Sequence, residues 1–136
     1  MHRHLLHVCL PAGAFFLTAC YDTQRASYAT AAAARADGAI QRGWLPDSLP
    51  DSAFDIAESH DLDTNTGGGS FRFEARDADS FRAQFQPLSA AQLQSLASNR
   101  TKLQRDGYTF HAAPGFWLAV NWQTRHVQFW LNPKSE

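Results

Sequence analysis

Alternating apolar and polar residues near the C-terminal end give the clearest structural signal in this chain. From Phe116 to Trp122 every second residue is large and apolar, and the same period returns from Val127 to Leu131. Side chains of a β-strand point alternately to opposite faces of a sheet, so this period predicts two strands joined by a polar turn at residues 123–125. Residues 108–111 predict a further strand before the turn-forming Pro114-Gly115 pair.

A second hairpin is predicted in the middle of the chain. Residues 53–62 alternate loosely and residues 70–74 cleanly between apolar and polar side chains. The run between them is rich in asparagine and glycine, which tolerate the positive φ angles of tight turns. Before this hairpin, Pro46 and Pro50 exclude a helix interior, so an extended segment is expected, with Trp44 and neighbouring leucines fixing it to the core.

Two helices are expected between the hairpins. Phe81 and Phe85 lie one helical turn apart and predict a short helix that Pro87 ends. Ser89 opens a capping box, and apolar residues at helical spacing follow it, which predicts a second helix to about Leu103.

Alanine dominates the segment near the N-terminus. Residues 26–35 are mostly alanine, the best helix former, and predict a helix over Thr23–Gln41 that Gly43 could close. Its apolar stripe is thin. The helix is therefore either a spacer that leads to the folded body or an element that packs flat on the domain.

The order of these elements favours one small α+β domain. We expect an antiparallel sheet of two hairpins with helices packed on one face. The resulting organisation is a signal peptide at residues 1–19, an Ala-rich helix or spacer at 20–43 and an α+β domain at 44–136.

Composition excludes several function classes. The 136 residues include 12 Lys and Arg against 13 Asp and Glu, a formal net charge of −1, so no basic field exists to hold nucleic acid. The two cysteines exclude a disulfide framework and a Cys-rich zinc site.

The first twenty residues have the charged, apolar and small-residue regions of a secretory signal. Leu17-Thr18-Ala19-Cys20 resembles the lipobox of bacterial lipoproteins. The resemblance implies a diacylglycerol thioether on Cys20, cleavage before it and acylation of the freed amine. Because Tyr21 follows in place of aspartate, the resemblance also implies an outer-membrane protein that faces the periplasm. The mature chain would keep no free thiol, since Cys9 is removed and Cys20 carries lipid.

Residues 60–67 contain the most chemically suggestive side chains. Asp61, Asp63 and Asn65 supply oxygens at the first ligand positions of a calcium loop. However, Thr66 stands where that loop needs glycine, and Arg72 stands where it needs glutamate. The calcium-loop hypothesis fails, and neither a metal nor a cofactor is expected. These residues are better explained as capped turn residues of the hairpin.

A hydrolase based on His60 and Asp61 is a further hypothesis. The sequence contains no Gly-x-Ser-x-Gly nucleophile elbow and no His-Glu-x-x-His zinc motif, so no assembled catalytic set supports it. We therefore expect a protein that is not an enzyme.

Four residues near the C-terminal end form a candidate binding surface. Trp117 and Trp130 fall on the sheet face opposite Val120 and Phe129, with Asn121 and His126 on that same face. If helices cover the face, the tryptophans are core residues. If the face is open, they form an amphipathic patch typical of protein interfaces.

Residues 49–56 together with 60–65 resemble a stretch of small uncharacterised bacterial envelope proteins. The resemblance implies a shared structural or binding element and no activity. The leading hypothesis is a lipid-anchored domain that binds a periplasmic protein, for example an immunity-type inhibitor of a toxin. The alternative is a structural accessory of an outer-membrane assembly, which the Ala-rich spacer supports.

Overall fold

A computed structural model describes residues 22–94, 96 and 99–132, which form a seven-stranded antiparallel sheet with short helices. The strands, in the spatial order β1-β2-β3-β7-β6-β5-β4, are β1 Thr23–Thr30, β2 Phe54–Asp61, β3 Thr66–Arg72, β4 Gln86–Pro87, β5 Thr109–Ala113, β6 Phe116–Asn121 and β7 His126–Leu131. The helices are α1 Ala31–Ala36, α2 Ala78–Arg82, α3 Ala90–Gln94 and α4 Arg100–Arg105, with a 3-10 turn at Ala75–Asp77 before α2. This arrangement confirms the α+β fold class.

One face of the sheet, here called the core face, carries the main hydrophobic core. Its fully buried sheet residues are Ile56, Phe71, Leu118, Val120, Val127 and Phe129. The chain from α1 to residue 53 packs on them, together with Phe81 of α2. The Phe81 ring lies 6.1 Å from Phe71, 5.1 Å from Phe73 and 4.8 Å from Phe85, so one short helix joins the aromatic residues of this layer.

The opposite face, here called the second face, is covered only in part. Leu103 of α4 and Leu93 of α3 pack with Phe110 and Ala119 over the β5–β6 half. The prediction that helices lie on one face is therefore wrong, because α1 and α2 pack on the core face while α3 and α4 pack on the second. The reason is the composition of β5 and β6, which carry apolar residues on both faces. These residues are shielded from water only if other elements pack on each face.

The helix predicted over Thr23–Gln41 is found only over Ala31–Ala36, since residues 37–41 form turns and its first eight predicted residues are not helical. Those eight residues form β1, which pairs along the whole length of β2, and the helix begins only at Ala31. Thr30 caps that helix, since its hydroxyl accepts from the Ala33 N–H. Helix propensity is a weak preference that tertiary contacts can override. A helix with so thin an apolar stripe would gain little from packing, whereas a strand at this position is hydrogen-bonded along the edge of the sheet.

The alanines of this segment have a packing role. Ala31, Ala34 and Ala39 are fully buried against the core face. Of the two hypotheses for the segment, the structure therefore contradicts the free spacer from Thr23 onward and makes the segment part of the sheet and the core.

Other predicted elements are found with changed limits. The hairpins β2–β3 and β6–β7 and strand β5 are confirmed. The helix predicted from Ser89 to Leu103 is divided into α3 and α4, with a bend at Leu96. Its capping box is present, since the Ser89 N–H donates to the Gln92 side chain and the Gln92 N–H to the Ser89 hydroxyl.

Candidate functional site

The two tryptophans lie directly opposite each other on neighbouring strands. Trp117 of β6 pairs with Trp130 of β7 on the second face, as the alternation predicted. Both rings are half-buried, and Trp130 packs against the apolar cluster under α3 and α4. They stand at the boundary between the helix-covered half of this face and its open half.

Asn121 and His126 lie on the same face but are committed to contacts within the chain. The buried Asn121 side chain donates to the Asp106 carbonyl and accepts from the N–H groups of Gln123 and Thr124, so it closes the β6–β7 turn. His126 Nδ1 lies 2.7 Å from the Tyr108 hydroxyl. Asn121 is thus a structural residue, and of the four candidate residues only Trp117, His126 and Trp130 keep part of their surface exposed.

Beyond the tryptophans, no helix in the described part of the chain lies on the second face. A surface of small and charged side chains extends over three strands, and we call it the open surface: Arg25, Ser27, Ala57, Ser59, Gly68, Ser70 and Arg72. Arg25, Ser59, Gly68 and Trp130 form one continuous cross-strand row. Sequence reasoning missed this surface because β1 was expected to be helical.

The two arginines of the open surface lack carboxylate partners. Among the described residues, neither Arg25 nor Arg72 has an acidic oxygen within ion-pair distance, whereas Arg35, Arg42 and Arg76 each have one. The Arg72 guanidinium instead lies 6.0 Å from the centre of the Phe54 ring. Burial lowers the pKa of His126, and the Arg72 charge lowers it further. The open surface is therefore positively charged through its arginines, within a chain that has no net positive charge.

The structure does not bring together the His60 and Asp61 side chains that the hydrolase hypothesis requires. Asp61 Oδ1 accepts from the N–H groups of Asp63 and Thr64, both at 3.0 Å, and so caps the β2–β3 turn. His60 points to the core face, where its Nδ1 lies 2.9 Å from Glu58 Oε2. Consecutive strand residues face opposite sides, which is why these neighbours in sequence cannot form a dyad.

The Glu58–His60 pair is covered by an aromatic side chain that sequence analysis placed only as a core anchor. The Trp44 ring stacks on the His60 imidazole at 3.8 Å, and the Arg42 guanidinium lies 4.1 Å above the Trp44 ring. Glu58 Oε1 and His60 Nε2 have no hydrogen-bond partner among the described residues, and both are sealed from solvent. In this conformation the pair can hold the Trp44 ring in place, but a substrate cannot reach it because both side chains are buried.

Glycines on the neighbouring strand make room for this pair. Gly69 lies opposite Glu58, and Gly67 lies opposite His60. A Cβ atom on Gly67 would come 3.3 Å from the His60 Cβ, and one on Gly69 would come 2.0 Å from the Ala57 carbonyl oxygen. The glycines that the sequence analysis assigned to the hairpin turn are thus part of β3, where close packing leaves no room for a side chain.

No metal-binding cluster is found in the part of the chain that the structure describes, where no three His, Cys, Asp or Glu side chains converge. Asp61 is occupied by backbone N–H groups, and Asn65 adopts the positive φ of 49° that a tight turn needs. Residues 61–66 therefore act as a hairpin turn.

Comparison with known protein families gives a match over part of the chain. Residues 22–72 match the family model of the YbbD head domain, which covers fewer than half of the residues and runs from β1 to the end of β3. The match suggests a bacterial envelope-associated protein family. The curated proteins and the solved structures give no match. Within the described residues, none of the helices has the length and apolarity that crossing a membrane requires.

Proposed function

We propose that this protein is a lipid-anchored bacterial envelope protein whose domain binds another protein, without enzymatic activity, through the open surface. The observation that carries the proposal is a pair of arginines, without carboxylate partners among the described residues, on the part of the second face that no described helix covers. The half-buried Trp117 and Trp130 border that surface. Aromatic and arginine side chains are the residues enriched at the energetic centres of protein interfaces.

The positive charge of the open surface indicates the kind of partner that it would bind. Arg25 and Arg72 attract an acidic protein surface, and the small serine and glycine residues between them allow a flat partner to approach the sheet closely. With a formal net charge of −1, the whole chain provides no extended field for nucleic acid. An immunity-type inhibitor that covers an acidic region of a toxin in the periplasm is the specific form of this proposal.

The structure removes support from the two alternatives. The accessory role rested on an Ala-rich spacer, but β1 and α1 belong to the sheet and the core. The hydrolase rested on His60 and Asp61, which point to opposite faces.

Lipid attachment at Cys20, which lies outside the described residues, is tested by labelling cells with palmitate. The wild-type chain should incorporate label and fractionate with the outer membrane, whereas Cys20→Ser should be unlabelled and keep its first nineteen residues. An unlabelled wild-type protein in cells that process other lipoproteins would overturn the anchor.

Partner binding is tested with a photo-crosslinking amino acid at Ser59, on the open surface, and with the same residue at Gln104, which is exposed on α4. We expect a discrete adduct from Ser59 only. Replacing Arg25 and Arg72 with glutamate should reduce its yield several-fold, and raising the salt concentration should do the same. Equal adducts from both positions, or an adduct that the charge reversal leaves unchanged, would contradict the proposal.

A further inference from the structure

The first strand starts very close to the predicted lipid attachment point. Only Tyr21 and Asp22 separate Cys20 from Thr23, the first residue of β1. Three residues reach at most on the order of 10 Å, so a lipid on Cys20 holds the start of β1 near the membrane surface. This step rests on the lipid anchor of the proposed function.

The register of the sheet identifies what lies beside that start. Thr23 pairs with Asp61, the last residue of β2, and Asp61 pairs with Thr66 across the hairpin. The β2–β3 turn therefore projects from the same end of the sheet as the anchored start of β1. We call this end the turn end.

The turn end carries an apolar side chain that the fold leaves outside. Leu62 follows Asp61 in the turn and is 66% exposed, and among the described residues no other large hydrophobic side chain is exposed to this degree. Adjacent strands lie about 5 Å apart, which places Leu62 within reach of the lipid-bearing residue. For an exposed leucine beside a lipid anchor, moving from water into the interface between headgroups and acyl chains lowers the free energy, because its apolar surface leaves water.

We infer that the turn end is the membrane-facing surface of this protein and that Leu62 inserts into the outer part of the lipid layer. Asp63 follows Leu62, and Asp22 precedes Thr23, the cross-strand partner of Asp61. Both are exposed, so their carboxylates remain among the headgroups and insertion is shallow. The fitting lipid surface is zwitterionic, because the carboxylates of Asp22, Asp61 and Asp63 at this end disfavour an anionic one.

This orientation agrees with a lateral binding face. With the turn end on the membrane, the strands run away from the lipid and the open surface faces sideways into the compartment. The row that contains Arg25 and Trp130 lies two residues along the strands from the row of Thr23 and Asp61, close to the membrane without being buried in it.

The test uses the full lipidated chain in phosphatidylcholine vesicles, with one fluorophore on an introduced cysteine. Leu62→Cys reports on the turn end, and Gln123→Cys, exposed in the β6–β7 turn at the other end of the sheet, is the matched control. Lipids brominated near the headgroup should quench the fluorophore at position 62 several-fold more than the one at position 123.

Equal quenching at the two positions, or stronger quenching at position 123, would overturn the orientation while leaving the anchor intact, provided that the protein mass includes the lipid. A mass without lipid, together with labelling of Cys20 as a free thiol, would overturn the anchor and the orientation with it.

Discussion

Trp44 lies flat on His60, with ring centroids 3.8 Å apart and an angle of 17° between the planes. His60 Nδ1 lies 2.9 Å from Glu58 Oε2, and the Arg42 guanidinium lies over the Trp44 ring. The stack joins the loop before residue 45 to β2, so it fixes that loop over a buried polar pair that would otherwise meet water.

Replacing Trp44 should destabilise the domain by opening this cover. We expect Trp44→Ala to lower the free energy of unfolding by about 2 kcal/mol, less than a fully buried tryptophan would lose, because the ring is half-buried. Trp44→Phe keeps a stacking ring and should lose less than half as much. Urea denaturation measures both variants, and equal stability of Trp44→Ala and wild type would show that the stack contributes nothing.

The Glu58–His60 pair should behave as a coupled unit. Its side chains are 0% and 4% exposed, so removing one partner leaves a buried polar group without its partner, at a cost of about 3 kcal/mol or more. We expect Glu58→Leu and His60→Phe each to be strongly destabilising in chemical denaturation. The double variant should be more stable than the sum of the two losses implies.

A double-mutant cycle decides this prediction. Additive losses would mean that the two side chains stabilise the domain independently, despite the 2.9 Å contact.

A side chain at Gly69 should disrupt the sheet. A Cβ atom there would lie 2.0 Å from the Ala57 carbonyl oxygen and 2.8 Å from Cζ of Phe129, and the first of these atoms is backbone that cannot rotate away. We expect Gly69→Ala to cost about 3 kcal/mol, at the upper end of overpacking effects. Ser70→Ala, at the next position of the same strand, is the control and should change stability by less than about 1 kcal/mol. Thermal unfolding of the two variants at matched concentration tests the difference.

Mild acid should destabilise the domain through two histidines. Burial lowers the pKa of His111 and of His126, and nearby Arg82 and Arg72 respectively lower them further. In the unfolded chain both rings regain their ordinary pKa and bind protons more readily. The free energy of unfolding therefore has its full value at a pH above that ordinary pKa. It decreases as the pH falls from about 7 through the lowered pKa values of the folded state.

Replacing both rings with glutamine removes this proton uptake. The variant should lose less stability between about pH 7 and about pH 5 than the wild type, measured by urea denaturation at each pH. Parallel pH profiles for the two proteins would contradict the assignment to these histidines.

Strand alternation predicted the second half of the fold well. In β6 and β7 the two-residue period gave the correct face for each residue, and Trp117 does lie opposite Trp130. Long antiparallel strands with one apolar face carry this information locally, since a shift by one residue would turn every core side chain outward.

The first strand shows where local reasoning fails. Residues 23–30 contain neither an apolar period nor a β-branched run, and their alanines favour a helix in isolation. Only the free edge of β2 makes them a strand, and with β1 comes the open surface that carries Arg25. The same applies to His60, whose partner Glu58 lies two residues away on the same face, while the adjacent Asp61 lies on the opposite one.

The sequence by itself determined the class of domain, the hairpins, the opposed tryptophans and the resemblance of residues 17–20 to a lipobox, because each is a local pattern of side chains along the chain. Tertiary structure alone decided which part of the second face the described helices leave uncovered, that Trp44 seals Glu58 and His60, and that Leu62 projects beside the start of β1. These relationships depend on which strands become neighbours, and pairing between distant segments is set by the burial of the whole core and not by the residues that surround each segment in the sequence.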